Sequence, residues 1–344
     1  MMLEKAYKKR FVKRLFLTLF LMVSIIGLLW LSLISGSNGV RFEDTFRMFT
    51  CNDHLSMIVQ SIRLPRALAA LLVGMLLGLS GVVMQGVLRN PLASPFTLGI
   101  SQAAGFGATL AIIFFGTNTQ TQWAWFALFN VPLFAFIASM LCSLLIIWIG
   151  KKVGMSPTAL ILAGVGLGSL FHSGTMFLQY FTTEINAAAT LFWTFGDLSK
   201  ATYPILWILG SVCLFSLGFL WVSHWKFDAL GFGDESAFNK GINVKMFRIV
   251  MLLFSSLCTA LAVSFFGIIG FIGLVAPHLV RLVLGSSHSA LIPLSALSGG
   301  ALLLGADWCA RMMLYPSILP VGILTSFIGA PMLLYLLVVG KKIK

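Results

Sequence analysis

The chain has 344 residues, 59% hydrophobic and 10% charged, with a net charge of +13. So few polar side chains cannot cover a water-facing surface of this size, which excludes a soluble globular domain and makes lipid the solvent. No aromatic-interleaved basic stripe accompanies the positive charge, which argues against nucleic acid as a partner. A membrane protein anchored by cytoplasmic cations carries such an excess by default.

The chain opens on a basic stretch, "KKRFVKR", followed by "LFLTLFLMVSIIGLLWLSLI" over 15–34. That apolar run is longer than a usual signal-peptide core and no A-x-A site follows, so it is expected to be a retained first span. A span needs roughly 20 apolar residues to cross a hydrocarbon core of ~30 Å. Further candidates follow at about 64–86, 97–116, 123–149, 157–181, 204–223, 247–266, 271–284, 291–313 and 319–339. The eighth is too short to cross straight as a helix. It also contains Pro277, so it is expected to be broken or partly re-entrant, with its backbone covered by protein or facing a cavity. The 33 glycines suit helices whose backbones approach closely. The expected fold is an all-α polytopic membrane protein with about ten transmembrane helices in a single transmembrane domain over 1–344.

Ten crossings put both termini on one side. Starting inside, the inner segments hold 17 of the 23 basic residues: Lys5, Lys8, Lys9, Arg10, Lys13, Arg14, Arg89, Lys151, Lys152, Lys226, Lys240, Lys245, Arg248, Arg281, Lys341, Lys342 and Lys344. Both termini are therefore cytoplasmic. Against this trend Arg63 and Arg66, in "SIRLPRALAALLVG", face outward with Arg41, Arg47, Lys200 and Arg311. Arg311 lies ~30 Å along the ninth span, at its outer mouth. Three arginines at outer helix ends suggest a docking surface for acidic groups. Interfacial snorkelling is the plainer alternative for any one of them. Asp307 stands four residues before Arg311, at helical ion-pair spacing.

The chain contains no G-x-x-x-x-G-K-[ST]. "GKKVG" at 150–154 lacks both the leading glycine and the hydroxyl residue. H-E-x-x-H and G-x-S-x-G are absent too. The five histidines are far apart, and the five cysteines (51, 142, 213, 258, 309) show no metal-ligand spacing, so structural thiols are expected. His278 in "APHLVRL" is expected to be a packed or helix-terminus histidine. No catalytic or metal-ligating residue is assigned. Coupling to an ion gradient usually requires acids inside the spans. Nine of the ten acids fall in tails or loops, and the tenth, Asp307, is near the outer mouth. This disfavours the alternative, an ion-coupled secondary transporter of a bulky solute, and leaves a pathway opened by a partner chain.

The inner loop at 224–248 reads "HWKFDALGFGDESAFNKGINVKMFR". Within it, "GDESAFNKG" (233–241) has glycine at both ends and predicts a short helix with Asp234 and Glu235 at its positive end. Such a helix can insert into a groove on a soluble subunit; a solvated connector is the alternative. Nearer the N-terminus, "RNPLASP" at 89–95 carries two turn signals, Asn-Pro and Ser-Pro, and predicts a helix break.

Four stretches together resemble the FecCD-type permeases, the membrane subunits of ABC importers for iron–siderophore complexes, haem and cobalamin. They are "IRLPRALAALLVGMLLGLSGVVMQGVLRNPLASPFTLGIS" (62–101), "LILAGVGLGSL" (160–170), "GFIGLVAPHLVRL" (270–282) and "LPVGILTSFIGAPMLLYLL" (319–337). The resemblance implies a chain in a bacterial or archaeal cytoplasmic (inner) membrane that catalyses nothing itself and holds no cofactor. It implies a second permease, identical or paralogous, and P-loop ATPase subunits that carry ATP and Mg. An extracytoplasmic substrate-binding protein would present acids to Arg63, Arg66 and Arg311. ATPase coupling would fall to Gly233, Asp234, Glu235, Ser236, Ala237 and Gly241, with Asp234 in place of the more usual Glu. The inner gate would fall to Asn90 and Leu92 and to Pro157 and Thr158 in "SPTALILAG". Pro157 departs from the small hydroxyl residue of the family pattern and equally suits an ordinary first-turn proline. The substrate stays open among siderophore, haem, cobalamin and an oxyanion.

Overall fold

The computed structural model describes residues 2–35, 54–115, 124–314 and 317–340. Arg41, Arg47, Cys51, Lys341, Lys342 and Lys344 lie outside these ranges. The chain begins with α1 (Met2–Ile34), then α2 (His54–Ile58), a π-helical turn (Val59–Arg63) and α3 (Leu64–Val87). Next come α4 (Ile100–Phe115), α5 (Ala124–Lys152), α6 (Pro157–Phe181) and the short α7 (Glu184–Thr194). A 3-10 turn (Leu198–Lys200) leads into α8 (Tyr203–Val222) and two small helices, α9 (His224–Gly231) and α10 (Asp234–Asn239). The remainder is α11 (Val244–Phe266), α12 (Ile272–Leu284), α13 (His288–Met312) and α14 (Val321–Gly340). Among the described residues seven helical stretches are long and apolar enough to cross a membrane, and three shorter apolar helices, α4, α12 and α14, stand where the other expected spans fall.

The π turn ends within "IRLPR", at Arg63. Pro65 has no N–H to give back to the preceding turn, and the Gln60 carbonyl accepts instead from the Tyr203 hydroxyl at 2.6 Å. From there α3 runs through the middle of the bundle, buried along most of its length, and packs most extensively on α13. Glycine makes this possible. A Cβ on Gly74 would lie 2.3 Å from the Gly299 carbonyl oxygen, and one on Gly81 would lie 1.6 Å from that of Gly273 on α12. Lipid tails are as apolar as leucine, so helices associate through close packing of this kind rather than by expelling water. By contrast α1, α6 and α8 lie at the periphery, with most of their apolar surface outside the protein core.

The eighth expected span is not broken at Pro277, which lies inside the continuous helix α12 (Ile272–Leu284). The break precedes it, at 267–271. Thirteen helical residues rise about 20 Å, short of the ~30 Å core, so irregular backbone sits at membrane depth. It is tolerated because protein covers it: Phe266 and Ile269 are buried, the Phe266 carbonyl accepts from the Asp197 amide at 2.7 Å, and Gly322 is closely opposed to the Ile268 carbonyl.

Candidate functional site

Polar side chains gather at the two ends of the bundle. At the outer end the carboxylate of Asp307, on α13, is fully buried. Arg66, on α3, reaches it through Nε at 2.9 Å and Nη2 at 2.9 Å from Oδ1. Arg311, one turn further along α13, places Nε 3.2 Å from Oδ2 and donates to the Ser32 carbonyl at 3.2 Å and to its hydroxyl. Arg63 donates to the carbonyls of Leu33 and Ile34 at 2.8 and 3.2 Å, closing the C-terminal end of α1. These carbonyls have no partner inside their own helix. The three arginines lie together at this end of the bundle, but Arg63 and Arg66 are only 7% and 6% exposed. The guanidiniums are already engaged, because the end of α1 and the last turns of α13 close over them. Arg66 also borders an outer cavity of about 790 Å³ whose wall includes Phe129, Asn130, Phe192, Trp193 and Lys200.

The inner end is built around Asp234. The segment 233–241 forms a six-residue helix, α10, between two glycines with left-handed φ, Gly233 at 117° and Gly241 at 78°. Ala237 is buried beneath it, while Phe238 and the preceding Phe232 point out, strongly exposed. Ser236 is half-buried and Glu235 exposed. The two Asp234 oxygens accept from Arg248 of α11, Oδ1 from Nη2 at 2.8 Å and Oδ2 from Nη1 at 2.9 Å. Arg89 approaches the same Oδ1 at 3.4 Å. Arg248 is 2% exposed and also donates to the carbonyls of Val87 at 3.4 Å and Met155 at 3.3 Å.

The expected gate residues lie on either side of this arrangement. Asn90 folds the turn on itself, its Oδ1 accepting from the Leu92 amide at 2.9 Å, and Leu92 is left 36% exposed. Pro157 occupies the first turn of α6 behind Ser156, whose hydroxyl accepts from the Ala159 amide at 3.3 Å. Thr158 is exposed beside it. A further inner contact joins α9 to α13. Asp228 Oδ1 accepts from the His288 amide at 2.8 Å and pairs with its Nδ1 at 2.7 Å. The His288 ring stacks on Phe227 with centroids 5.3 Å apart. Burial pushes the Asp228 carboxyl up, but hydrogen bonds from His288 and its charge outweigh that and hold it below the ordinary carboxylate value.

Sequence reasoning counted Arg248 only as an inner cation and overlooked Asp228 with His288. An arginine in the second turn of an apolar helix, just after an acidic loop, was the available signal for the first. His278 lies on α12, partly exposed. Among the described residues no group of three or more His, Cys, Asp or Glu could hold a metal.

A lipid-facing helical bundle with one polar cluster at each end defines a multi-pass integral membrane protein of the permease class. A model of the FecCD transport family matches residues 22–339, and the chain belongs to that family. Its membrane is the prokaryotic inner membrane. The hemin transport system permease protein of Yersinia pestis is 35% identical over 320 residues, covering 92% of this chain and 94% of that one. The cobalamin import system permease protein of Halobacterium salinarum is 38% identical over 290 residues, 82% of this chain and 73% of its own. Among solved structures, a metal-chelate type ABC transporter in an inward-facing conformation superposes with a TM-score of 0.82 at 29% identity, covering 94% of this chain and 98% of the other.

Proposed function

We propose that this chain is the permease subunit of a binding-protein-dependent ABC importer that carries an iron chelate, the class that includes haem and ferric siderophores, with cobalamin as the nearest alternative cargo. The observation that carries the proposal is α10, a short helix held from within by Asp234 and presenting exposed Phe232 and Phe238 to the cytoplasmic side. Exposed aromatics beside a cavity of about 650 Å³ suit insertion into a groove on a soluble ATPase. ATP and Mg reside on that ATPase. Gly233, Asp234, Glu235, Ser236, Ala237 and Gly241 form the coupling element. Asn90 and Leu92, with Pro157 and Thr158, close the inner end. A second permease, identical or paralogous, supplies the other wall of the pathway, and lipid surrounds the pair.

Arg63, Arg66 and Arg311 face a substrate-binding protein. Arg66 and Arg311 share the single carboxylate of Asp307 and Arg63 beside them binds backbone carbonyls, so the outer end keeps a surplus of positive charge that an acidic protein surface complements. Such complementarity acts mainly by steering and orienting the partner. The one acid in α13 is locked between two guanidiniums, which disfavours a role in carrying protons and so disfavours secondary transport. The test is co-purification with a P-loop ATPase, followed by uptake of haemin, ferric citrate and cyanocobalamin into vesicles containing the complex and its binding protein. ATP-dependent uptake of an iron chelate is expected. Uptake that survives removal of the ATPase would overturn the proposal in favour of an ion-coupled carrier.

A further inference from the structure

The geometry points to Arg248 as the rigid strut that joins the coupling helix to both halves of the inner gate, so that the three move as one body. This rests on the importer function proposed above and concerns a residue to which that proposal gives no role. One guanidinium, 2% exposed, makes four hydrogen bonds to three separate segments. Two go to Asp234, the first residue of α10. One goes to the carbonyl of Val87, the last residue of α3, two positions before the turn that holds Asn90 and Leu92. The fourth goes to the carbonyl of Met155, two positions before Pro157. Arginine is suited to this task because its planar fork fixes several acceptors at once, which a lysine ammonium does not.

Backbone conformation supports the assignment independently. Among the described residues only three non-glycine residues have positive φ: Arg89 at 47°, Met155 at 56° and Phe271 at 65°. Two of them flank this guanidinium. Met155 supplies one of its acceptors, and Arg89 opens the gate turn and reaches the same Asp234 oxygen. Each such residue is strained and persists where the surroundings over-determine it, commonly at switch regions. Both strained residues are thus held in place next to one charge.

The two contacts to Asp234 differ in kind. The Arg89 pair is between groups 39% and 43% exposed, so solvent weakens it and it can open and close. The Arg248 pair is anchored on a buried arginine in the second turn of α11, whose start is set by the Asn243 cap on the Met246 amide at 3.1 Å. A displacement of α10 by a bound ATPase is therefore transmitted through Arg248 to the end of α3 and the start of α6, with the weaker Arg89 contact adding little.

The experiment uses the full complex of permease and ATPase, spin-labelled at Asn239→Cys on α10 and Val153→Cys beside the start of α6. With Arg248 present, the inter-label distance should be single and narrow, and the same with no nucleotide and with vanadate-trapped nucleotide. Arg248→Gln, and separately the half-exposed Asp234→Asn, should broaden it and make it differ between the two states. In Arg248→Gln, substrate transported per ATP hydrolysed should fall about tenfold, within the span of ordinary coupling free energies, while subunit stoichiometry and ATP turnover are kept. Arg248→Lys should give an intermediate ratio. A residue that merely supports the fold would lower the yield of complex without changing transport per ATP. Variants with the wild-type distance and wild-type transport per ATP overturn the strut alone. A wild-type chain that binds no ATPase overturns the importer function and the strut with it.

Discussion

Arg66 and Asp307 are 241 residues apart in sequence and 2.9 Å apart in the fold, paired within the buried outer end of the bundle. Removing one partner of a buried pair leaves the other charge uncompensated, which typically costs about 3–5 kcal/mol. Arg66→Ala leaves Asp307 with Arg311 still beside it, whereas Asp307→Ala leaves two guanidiniums without their carboxylate. Asp307→Ala is therefore expected to lower the unfolding temperature in detergent more than Arg66→Ala does. The reverse order would mean that Arg311, with its bonds to Ser32, does not need Asp307.

Glycine at position 81 is expected to be irreplaceable. A Cβ there meets the Gly273 backbone, which cannot swing aside as a side chain can, so Gly81→Ala must push α3 away from α12. Overpacking of a core commonly costs about 1–3 kcal/mol, and more where backbone must shift. Gly218→Ala on α8, where nothing lies within 4 Å, is the control and should change stability by about 1 kcal/mol or less in either direction. Yield of folded monodisperse protein separates the two. Equal yields would argue against a contact as close as the one described.

The Asp228–His288 contact predicts how the inner end responds to acid. A carboxylate held below its ordinary pKa adds stability that is present above that value and is lost as pH falls through the folded-state value. Wild-type protein should thus lose thermal stability as pH drops below about 4, and Asp228→Asn should be less stable at neutral pH with a flatter profile in that range. Thermal scans between about pH 7 and about pH 3 read this directly. Parallel profiles for the two proteins would show that the contact contributes nothing to the acid response.

Leu92 is held by Asn90, so the two are expected to act together at the inner seal. Leu92→Ala should raise ATP-independent leak of a dye trapped in vesicles. Asn90→Ala should do the same by releasing the Leu92 amide, while Asn90→Asp keeps an acceptor at that position and should stay tight. If all three hold the dye as the wild type does, closure lies elsewhere, and the start of α6 is the next place to look.

Hydropathy and charge made the spans and their orientation legible, because both depend on residues close together in the chain. The outward arginines were also legible as positions. Their burial was not, since it depends on α1 and α13 closing over α3, and nothing near Arg66 in the sequence announces Asp307. The pair Asp307 and Arg311 could be read because four residues is one helical turn. Arg248 shows the same limit from the other end. Two of its acceptors, at Val87 and Met155, are backbone carbonyls, which every residue has, so only the fold reveals which ones are in reach. A break was expected within 271–284 at Pro277 and the irregular backbone instead precedes that helix at 267–271, because a proline's signature is visible in sequence and a left-handed Phe271 is not.

The separation of Arg66 from Asp307 also has a consequence in time. Ribosomes add on the order of 5–20 residues per second, so α3 exists for roughly ten to fifty seconds before the residue that neutralises it has been made. During that interval a guanidinium and a face of bare glycine backbone wait in or beside the bilayer without their final neighbours. Assembly of this protein is therefore late and cooperative. The helix at its centre is among the first to be synthesised and among the last to settle, and a nascent chain halted before residue 307 would leave that helix for the cell's quality control to recognise.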